Sequence, residues 1–417
     1  MASAASGNLA GMKPNSLLAG VRVLDLSRLL PGPFCSLYLA QLGAEVIKIE
    51  EPGGGDYARE SKELFAQVNR GKKSVTLDLR KPDDVAKFKE LVATAEVVLD
   101  SFRPGVMDRL GCGYEELKQI NPKLVYAALT GYGYTGPYRD WAGHDLNYLA
   151  VAGVLEQFGS AGQAPQQLNL QVADLAGGAL NCAIGILAAV IGARASGAGT
   201  FVDVSMTDGS AAMQVVALAS LHEHGRTFAR GADLLSGALP NYAIYKCRDG
   251  KYIAVGALEP KFFKRLLQVV WGTAPAALRK AVEKLTGSKP GVGAASAATG
   301  KAKGQSSMNA FGEMGDKLRN PAKARRYLAP VRLALKALFR TRPRDYWVKL
   351  LAEQDACVTP VLTLEEALEN PQLRARGLIV DDQGKPAFAL PIAFSEPPVA
   401  IAPSPALGQH NAEVLGR

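Results

Sequence analysis

This chain of 417 residues is short of the residues that metal sites and disulfide frameworks need: it has five cysteines and four histidines. Cys35, Cys112, Cys182, Cys247 and Cys357 are scattered, a spacing that fits neither a zinc site nor a disulfide scaffold and suggests a reducing interior. No bound metal is expected. There is no uninterrupted run of 18 apolar residues, so no membrane-spanning helix is expected. Met1 to Ser16 is small and polar, without the basic start and apolar middle of a secretory signal, and a cytoplasmic location is expected. No Gly-x-Gly-x-x-Gly follows the first strand, where the loop is Ser27-Arg28-Leu29-Leu30-Pro31-Gly32-Pro33. Gly53-Gly54-Gly55 follows the second strand with no helix start behind it. A nicotinamide nucleotide is therefore disfavoured.

Acidic residues are scarce in one region only. Residues 279–344 hold 16 Lys and Arg against three acidic residues, while the rest of the chain sums to −4. The net charge of +9 is thus local, not a basic surface spread over the fold. Aromatics that would stack bases do not interleave with those cations, so no nucleic acid partner is expected. Within this region Gly287 to Gly304 is rich in Gly, Ala, Ser and Lys and reads as a flexible insert.

What is present begins as alternating strand and helix. Val21 to Leu26 reads as a buried strand. Pro31-Gly32-Pro33 opens a helix that stops at Gly43, and Val46 to Glu50 is the next strand. The pattern repeats with a strand at Ser74 to Asp78, a helix from Pro82 to Ala93, and strands at Val97 to Leu99 and Leu124 to Leu129. The solution for such a pattern is an α/β fold with a doubly wound, Rossmann-like parallel sheet, which binds ligands at the carboxyl ends of its strands. Further on come a long apolar helix from Asp174 to about Arg194, a strand at Thr200 to Ser205 and a helix through about His224. An Asp249-Gly250 turn then joins hairpin strands at Tyr242 to Lys246 and Lys251 to Val255. Pro391 to Pro405 reads as irregular.

Two segments carry candidate chemistry. In Gly143-His144-Asp145-Leu146-Asn147-Tyr148, His144 stands beside small and polar residues; an ordinary imidazole titrates near pH ~6.5 and can give or take a proton. In Val172-Ala173-Asp174-Leu175-Ala176-Gly177-Gly178, Asp174 opens a helix, where negative charge is favoured. Together they read as an acid/base pair. Each has a plainer reading: a His after Gly is commonly structural, and an Asp at a helix start commonly caps it. Gly177-Gly178 lets a ligand or a second helix approach closely, and the first N–H groups of the Asp174 helix are candidate donors to a developing oxyanion.

Leu-Asp-Leu-Ser-Arg-Leu-Leu-Pro-Gly-Pro-Phe-Cys (24–35), Leu-Gly-Ala-Glu-Val-Ile-Lys-Ile-Glu (42–50), Asn-Arg-Gly-Lys-Lys-Ser-Val-Thr-Leu-Asp-Leu (69–79) and Ser-Phe-Arg-Pro-Gly-Val-Met-Asp-Arg-Leu-Gly (101–111) resemble the family III CoA-transferase (CaiB/BaiF) superfamily. The His144 and Asp174 segments, with Val-Gly-Ala-Leu-Glu-Pro (255–260) and Asp-Ala-Cys-Val-Thr-Pro-Val-Leu (355–362), are similar to its α-methylacyl-CoA racemase branch. The resemblance implies a homodimer of interlocked rings. Each subunit would have a large CoA-binding domain over 17–225, a smaller α+β domain over 236–365 with the insert around 287–304, and a return to the large domain over 366–417. It implies an acyl-CoA substrate and no separate cofactor, CoA being part of the substrate. By the same resemblance His144 and Asp174 exchange protons with the substrate and Glu259 assists near His144, although a carboxylate just before Pro260 equally suits a helix start. The CoA handle is expected along Leu77 with Arg80 nearby, and at Phe102, Arg103, Arg109, Gly143 and Tyr148, with Lys73 a candidate phosphate partner. Relatives commonly carry Arg where this chain has Glu51, so Lys48 or Arg80 is expected to compensate.

Two other functions remain open on sequence. A family III CoA-transferase would use Asp174 as nucleophile, but such enzymes generally lack the Gly-His-Asp-Leu-Asn-Tyr run and carry a Gly-rich loop in the small domain, which Ser236-Gly237-Ala238-Leu239-Pro240 is not. A non-catalytic acyl-CoA-binding protein would have no need to keep His144, Asp174 and Glu259 together.

Overall fold

The computed structural model describes residues 16–160, 162–276, 279–280, 328–396 and 400–416; the expected insert at 287–304 lies outside them. The chain forms two compact units. The first takes residues 1–155, 167–215 and 368–417, the second 156–166 and 216–367.

The first unit is built on six parallel strands: β1 (Arg22–Asp25), β2 (Glu45–Glu50), β3 (Lys73–Thr76), β4 (Val97–Asp100), β5 (Val125–Thr130) and β6 (Thr200–Ser205). Their order across the sheet is β3-β2-β1-β4-β5-β6. β4 and β5 are buried at every position, as expected of strands covered on both faces. The parallel strands are joined through helices such as Pro31–Gln41, Lys62–Asn69 and Pro82–Val92. Leu24, Ile47, Val75, Val98, Tyr126 and Phe88 are part of one apolar core with Leu415, from the last helix of the chain. That helix, Asn411–Leu415, is tied to the edge strand: Asn411 Oδ1 accepts from the Thr76 N–H at 2.9 Å and His410 Nδ1 from the Ser74 N–H at 3.1 Å. The strand order reverses at β1, which has β2 on one side and β4 on the other. The loops after β1 and β4 therefore diverge and leave a crevice at the carboxyl ends.

Between β5 and β6 the chain runs through a helix over Ala173–Ser196. Its first eight residues, Ala173–Leu180, are π-helical and the remainder, Asn181–Ser196, is α-helical. By length and composition this helix could cross a membrane, although no uninterrupted apolar run marks it in the sequence. Its Cys182, Ala183, Ile186, Val190 and Ala193 are buried, whereas Ile184 and Ile191 are 65% and 70% exposed. The single helix expected after Ser205 is two helices, Met206–Ala212 and Val215–His224. Gln214 lies at the break and donates its amide to the Ala152 carbonyl at 2.6 Å, a tertiary bond that local sequence does not announce.

The second unit holds an antiparallel sheet, β7 (Tyr242–Lys246), β8 (Tyr252–Gly256) and β9 (Val358–Val361), with β8 central. The expected hairpin is β7–β8, turning at Gly250 with φ of 84°. Helices Pro260–Gly272, Ala329–Phe339 and Arg344–Ala352 share its core, in which Phe339 and Trp347 meet edge to face at 5.3 Å. A small antiparallel pair, β10 (Ile379–Asp382) and β11 (Lys385–Phe388), belongs to the first unit.

Candidate active site

At the switch point lies a crevice of about 550 Å³ lined by the loops after β1 and β4, the end of β5 and the segment leading into helix Asp145–Val151. His144 and Asp174 both line it, so two groups 30 residues apart in sequence open onto one space.

The loop after β1 is held by buried charge. Asp25, at the end of β1, accepts from the Ser27 N–H (2.9 Å) and the Ser36 hydroxyl (2.6 Å) and pairs with Lys72 at 3.2 Å. Burial opposes its charge, but Lys72, Lys48 and the serine hydroxyls outweigh that and hold its carboxyl down to about 2. Lys48 pairs with Asp56 at 2.8 Å and donates to the Ser27 carbonyl at 2.8 Å. Asp56 also accepts from the Leu29 N–H at 2.8 Å, and Leu29 has φ of 64°, a left-handed conformation that a leucine rarely adopts. The buried ions thus fix the strained loop that brings Arg28, Leu29, Leu30 and Pro31 to the crevice wall. The Arg28 guanidinium lies 5.3 Å from the Tyr57 ring centre and 5.0 Å from that of Phe102, with all three residues on the wall.

Other lining residues are aromatic. Tyr148 donates its hydroxyl to the Gly143 carbonyl, and its ring meets Tyr132 edge to face at 5.2 Å. A Cβ on Gly143 would come within 2.7 Å of the Tyr148 ring and 2.8 Å of the Tyr132 hydroxyl, so close approach demands glycine there. Trp141, also in the lining, stacks on Tyr138 at 3.9 Å.

His144 is the N-cap of helix Asp145–Val151 and its own N–H donates to Asn147 Oδ1 at 3.1 Å. Asp174 sits in the first turn of the π-helix. Asp145 joins the two: its Oδ1 accepts the backbone N–H of Ala173 at 2.7 Å and of Asp174 at 3.1 Å. Those two amides, expected to serve an oxyanion, are therefore already engaged. Burial, with the Asp145 charge added, pushes the Asp174 carboxyl up to about 7. Gly177 and Gly178 serve a helix, not a ligand. Added Cβ atoms would lie 2.5 Å from Ser210 Oγ and 2.6 Å from Met206 Cγ, on helix Met206–Ala212. Among the described residues no group of three His, Cys, Asp or Glu side chains could hold a metal ion.

Of the residues expected at the site, His144, Asp174, Phe102, Arg103, Gly143 and Tyr148 line this crevice. Others are placed elsewhere. Lys73 starts β3, at the amino end of the strand, with its ammonium 2.7 Å from both Glu45 and Glu413. Leu77 is buried in the core, and Arg109 is exposed at the end of helix Val106–Arg109. Arg80 is exposed and binds Asp78 at 2.7 Å and Glu51 at 2.5 Å. Lys48 is fully buried in its pair with Asp56 and has no free face for a phosphate. Glu259 is in the second unit, as the N-cap of helix Pro260–Gly272. Arg28, Tyr57, Tyr132, Arg139 and Trp141 are crevice residues that sequence reading did not single out. For Arg28 a signal existed, since it immediately follows the first strand.

The chain matches the model of CoA-transferase family III over residues 18–290 and 289–411. It belongs to that family. The alpha-methylacyl-CoA racemase of Homo sapiens is 33% identical over 402 residues, covering 95% of this chain and 92% of the human protein. The succinate–glutarate CoA-transferase of Agrobacterium fabrum is 31% identical over 427 residues, covering 95% of this chain and 94% of that protein. Among solved structures, a CAIB/BAIF family protein from Brucella suis superposes with a TM-score of 0.76 at 27% identity, over 96% of this chain and 99% of that one. The chain is thus similar to both racemases and CoA-transferases of its family.

Proposed function

We propose that the chain interconverts (R)- and (S)-2-methylacyl-CoA thioesters by moving the α-proton through an enolate. The observation that carries this reading is the pairing, in one crevice at the switch point, of His144 with an Asp174 whose carboxyl is pushed up to about 7. Inversion needs one group to remove the proton from one face and another to return a proton to the opposite face. A carboxyl near 7 is populated in both protonation states at neutral pH and suits that exchange. A transferase nucleophile works as the anion, and the burial and Asp145 charge that raise Asp174 act against it.

Arg28 and Arg103 supply cations, and Tyr57 and Phe102 flat surface, for the CoA handle. The family resemblance gives Glu259 an assisting role. CoA arrives as part of the substrate, and no separate cofactor is invoked. The apolar outer face at Leu180, Ile184 and Ile191 supports a homodimer that covers it.

The test is incubation of one enantiomer of a 2-methylacyl-CoA in deuterium oxide without any acceptor acid. Deuterium at the α-carbon together with the appearance of the other enantiomer is expected. Transfer of CoA to a free carboxylate without α-exchange would overturn the reading.

A further inference from the structure

Asp145 is half-buried and lies between the two elements that carry the reacting groups. Its backbone is the first residue of the helix capped by His144. Its side chain reaches across to the start of the next functional helix and takes both the Ala173 and the Asp174 N–H on a single oxygen, at 2.7 and 3.1 Å. One residue thus fixes His144 through the chain and Asp174 through hydrogen bonds.

The segment it holds is not an ordinary helix start. Ala173–Leu180 is π-helical, a form that rarely persists without outside support. On its other side Gly177 and Gly178 are pressed against helix Met206–Ala212. Asp174 is therefore clamped between a glycine contact behind and the Asp145 carboxylate in front. A carboxylate is a costly choice for that job. An amide oxygen would accept the same two N–H groups without setting a second negative charge beside Asp174.

We propose that Asp145 is the positioning residue of this site, holding Asp174 in register with His144 through its two backbone hydrogen bonds and setting a negative charge beside it. The inference rests on the proton-transfer reading above. Burial remains the larger influence on Asp174 and Asp145 the second. The other ionisable groups on the elements packed against the Asp174 helix are Cys35 and Tyr38 on Pro31–Gln41, Tyr126 on β5, Asp203 on β6, Asp208 on Met206–Ala212 and Tyr148 beside Asp145 on its own helix. Cys182 and Arg194 lie in the helix that continues from it, and Arg28, Tyr57, Arg103, Tyr132, Arg139 and His144 line the crevice with it. Among these the carboxylate of Asp145 is the one bonded to the Asp174 backbone.

The two functions separate in two variants of the full chain. Asp145→Asn keeps an oxygen for the two N–H groups but removes the charge. Asp145→Ala removes both. In Asp145→Asn, turnover at its own optimum should stay within about tenfold of the parent, while the Asp174 titration moves down by roughly half a unit to one unit. In Asp145→Ala, turnover should fall by about 100-fold with CoA affinity unchanged. The titration is followed directly by carbon NMR of the Asp174 carboxyl as well as by the pH–rate profile, and thermal unfolding reports whether each variant is folded. An Asp174 titration identical in Asp145→Asn and the parent would overturn the electrostatic role. Full turnover in Asp145→Ala would overturn the positioning role. If the parent shows no α-proton exchange, the racemase reading fails, whereas the carboxyl titration still decides the link between Asp145 and Asp174.

Discussion

Glu51 accepts a hydrogen bond from Arg80 at 2.5 Å, so the residue expected to depart from the family pattern occupies the cation expected to make up for it. Arg80 is held by Asp78 as well. The pair is exposed, with side chains 68% and 41% accessible, and contributes little to stability. Its consequence is for ligand charge: two carboxylates neutralise a guanidinium near the expected CoA track. Glu51→Arg should therefore tighten CoA binding by roughly three- to tenfold at low salt, with the gain shrinking as salt screens it and the melting temperature unchanged. Calorimetric titration with CoA at two ionic strengths checks this; equal affinity in parent and variant at low salt would separate Arg80 from the CoA site.

Asp174 makes stability depend on pH in a defined direction. In the folded chain its carboxyl keeps a proton up to about 7, against 3.8 for an unperturbed aspartate. Folding takes up a proton between those values. The group's contribution is whole below the unfolded value and is lost as pH rises through the folded one. Asp174→Asn removes the buried charge that forms at high pH. The variant should be more stable than the parent at pH 8, by a margin that shrinks steadily as pH falls toward the unfolded value of 3.8, as melting temperatures measured across that range will show.

Asp100 ends β4, next to Ser101, Phe102 and Arg103 of the crevice lining. It is fully buried, accepts from the Tyr126 hydroxyl at 2.5 Å and from the Phe102 N–H at 2.8 Å, and burial pushes its carboxyl up to about 6. Tyr126→Phe removes one donor and leaves a buried acceptor without its partner. The expected cost is about 1–3 kcal/mol in denaturant unfolding, with the Asp100 carboxyl pushed higher still. A variant as stable as the parent would show that the hydroxyl contributes nothing net.

The sheet was legible because its strands are short apolar runs separated by proline and glycine punctuation, and β6 has the bounds its residues suggest. His144 and Asp174 were legible because each interrupts a stretch of small residues. Other features depend on contacts distant in sequence. The buried Lys48–Asp56 pair looks, in sequence, like two surface charges eight residues apart. The left-handed Leu29 has no glycine or asparagine to mark it, since the strain is held by Asp56 from another loop. The π-helical turn at Asp174 reads as ordinary apolar helix, because its register is set by Asp145 and by the glycine contact with Met206–Ala212. The aromatic wall was missed because Tyr132, Tyr138 and Trp141 show no periodicity and meet only once the chain turns at Gly133 and Gly136.

Removing one proton-transfer group should disclose which face each serves. With both present, a proton leaves one face and returns to the other, so exchange and inversion occur together. In His144→Ala the carboxyl of Asp174 can still remove and return a proton on its own face. Exchange from solvent should then persist for one enantiomer of the substrate, with retention of configuration, while racemisation falls by about three orders of magnitude or more. In Asp174→Ala the surviving exchange should belong to the opposite enantiomer. Neither change touches Arg28, Arg103, Tyr57 or Phe102, the groups offered to the CoA handle, so CoA affinity should be preserved in both. The measurement is α-deuterium incorporation into each pure enantiomer, with chiral analysis of the recovered thioester. Residual exchange confined to the same enantiomer in both variants would mean that His144 and Asp174 do not serve opposite faces, and the two-group mechanism would have to be abandoned.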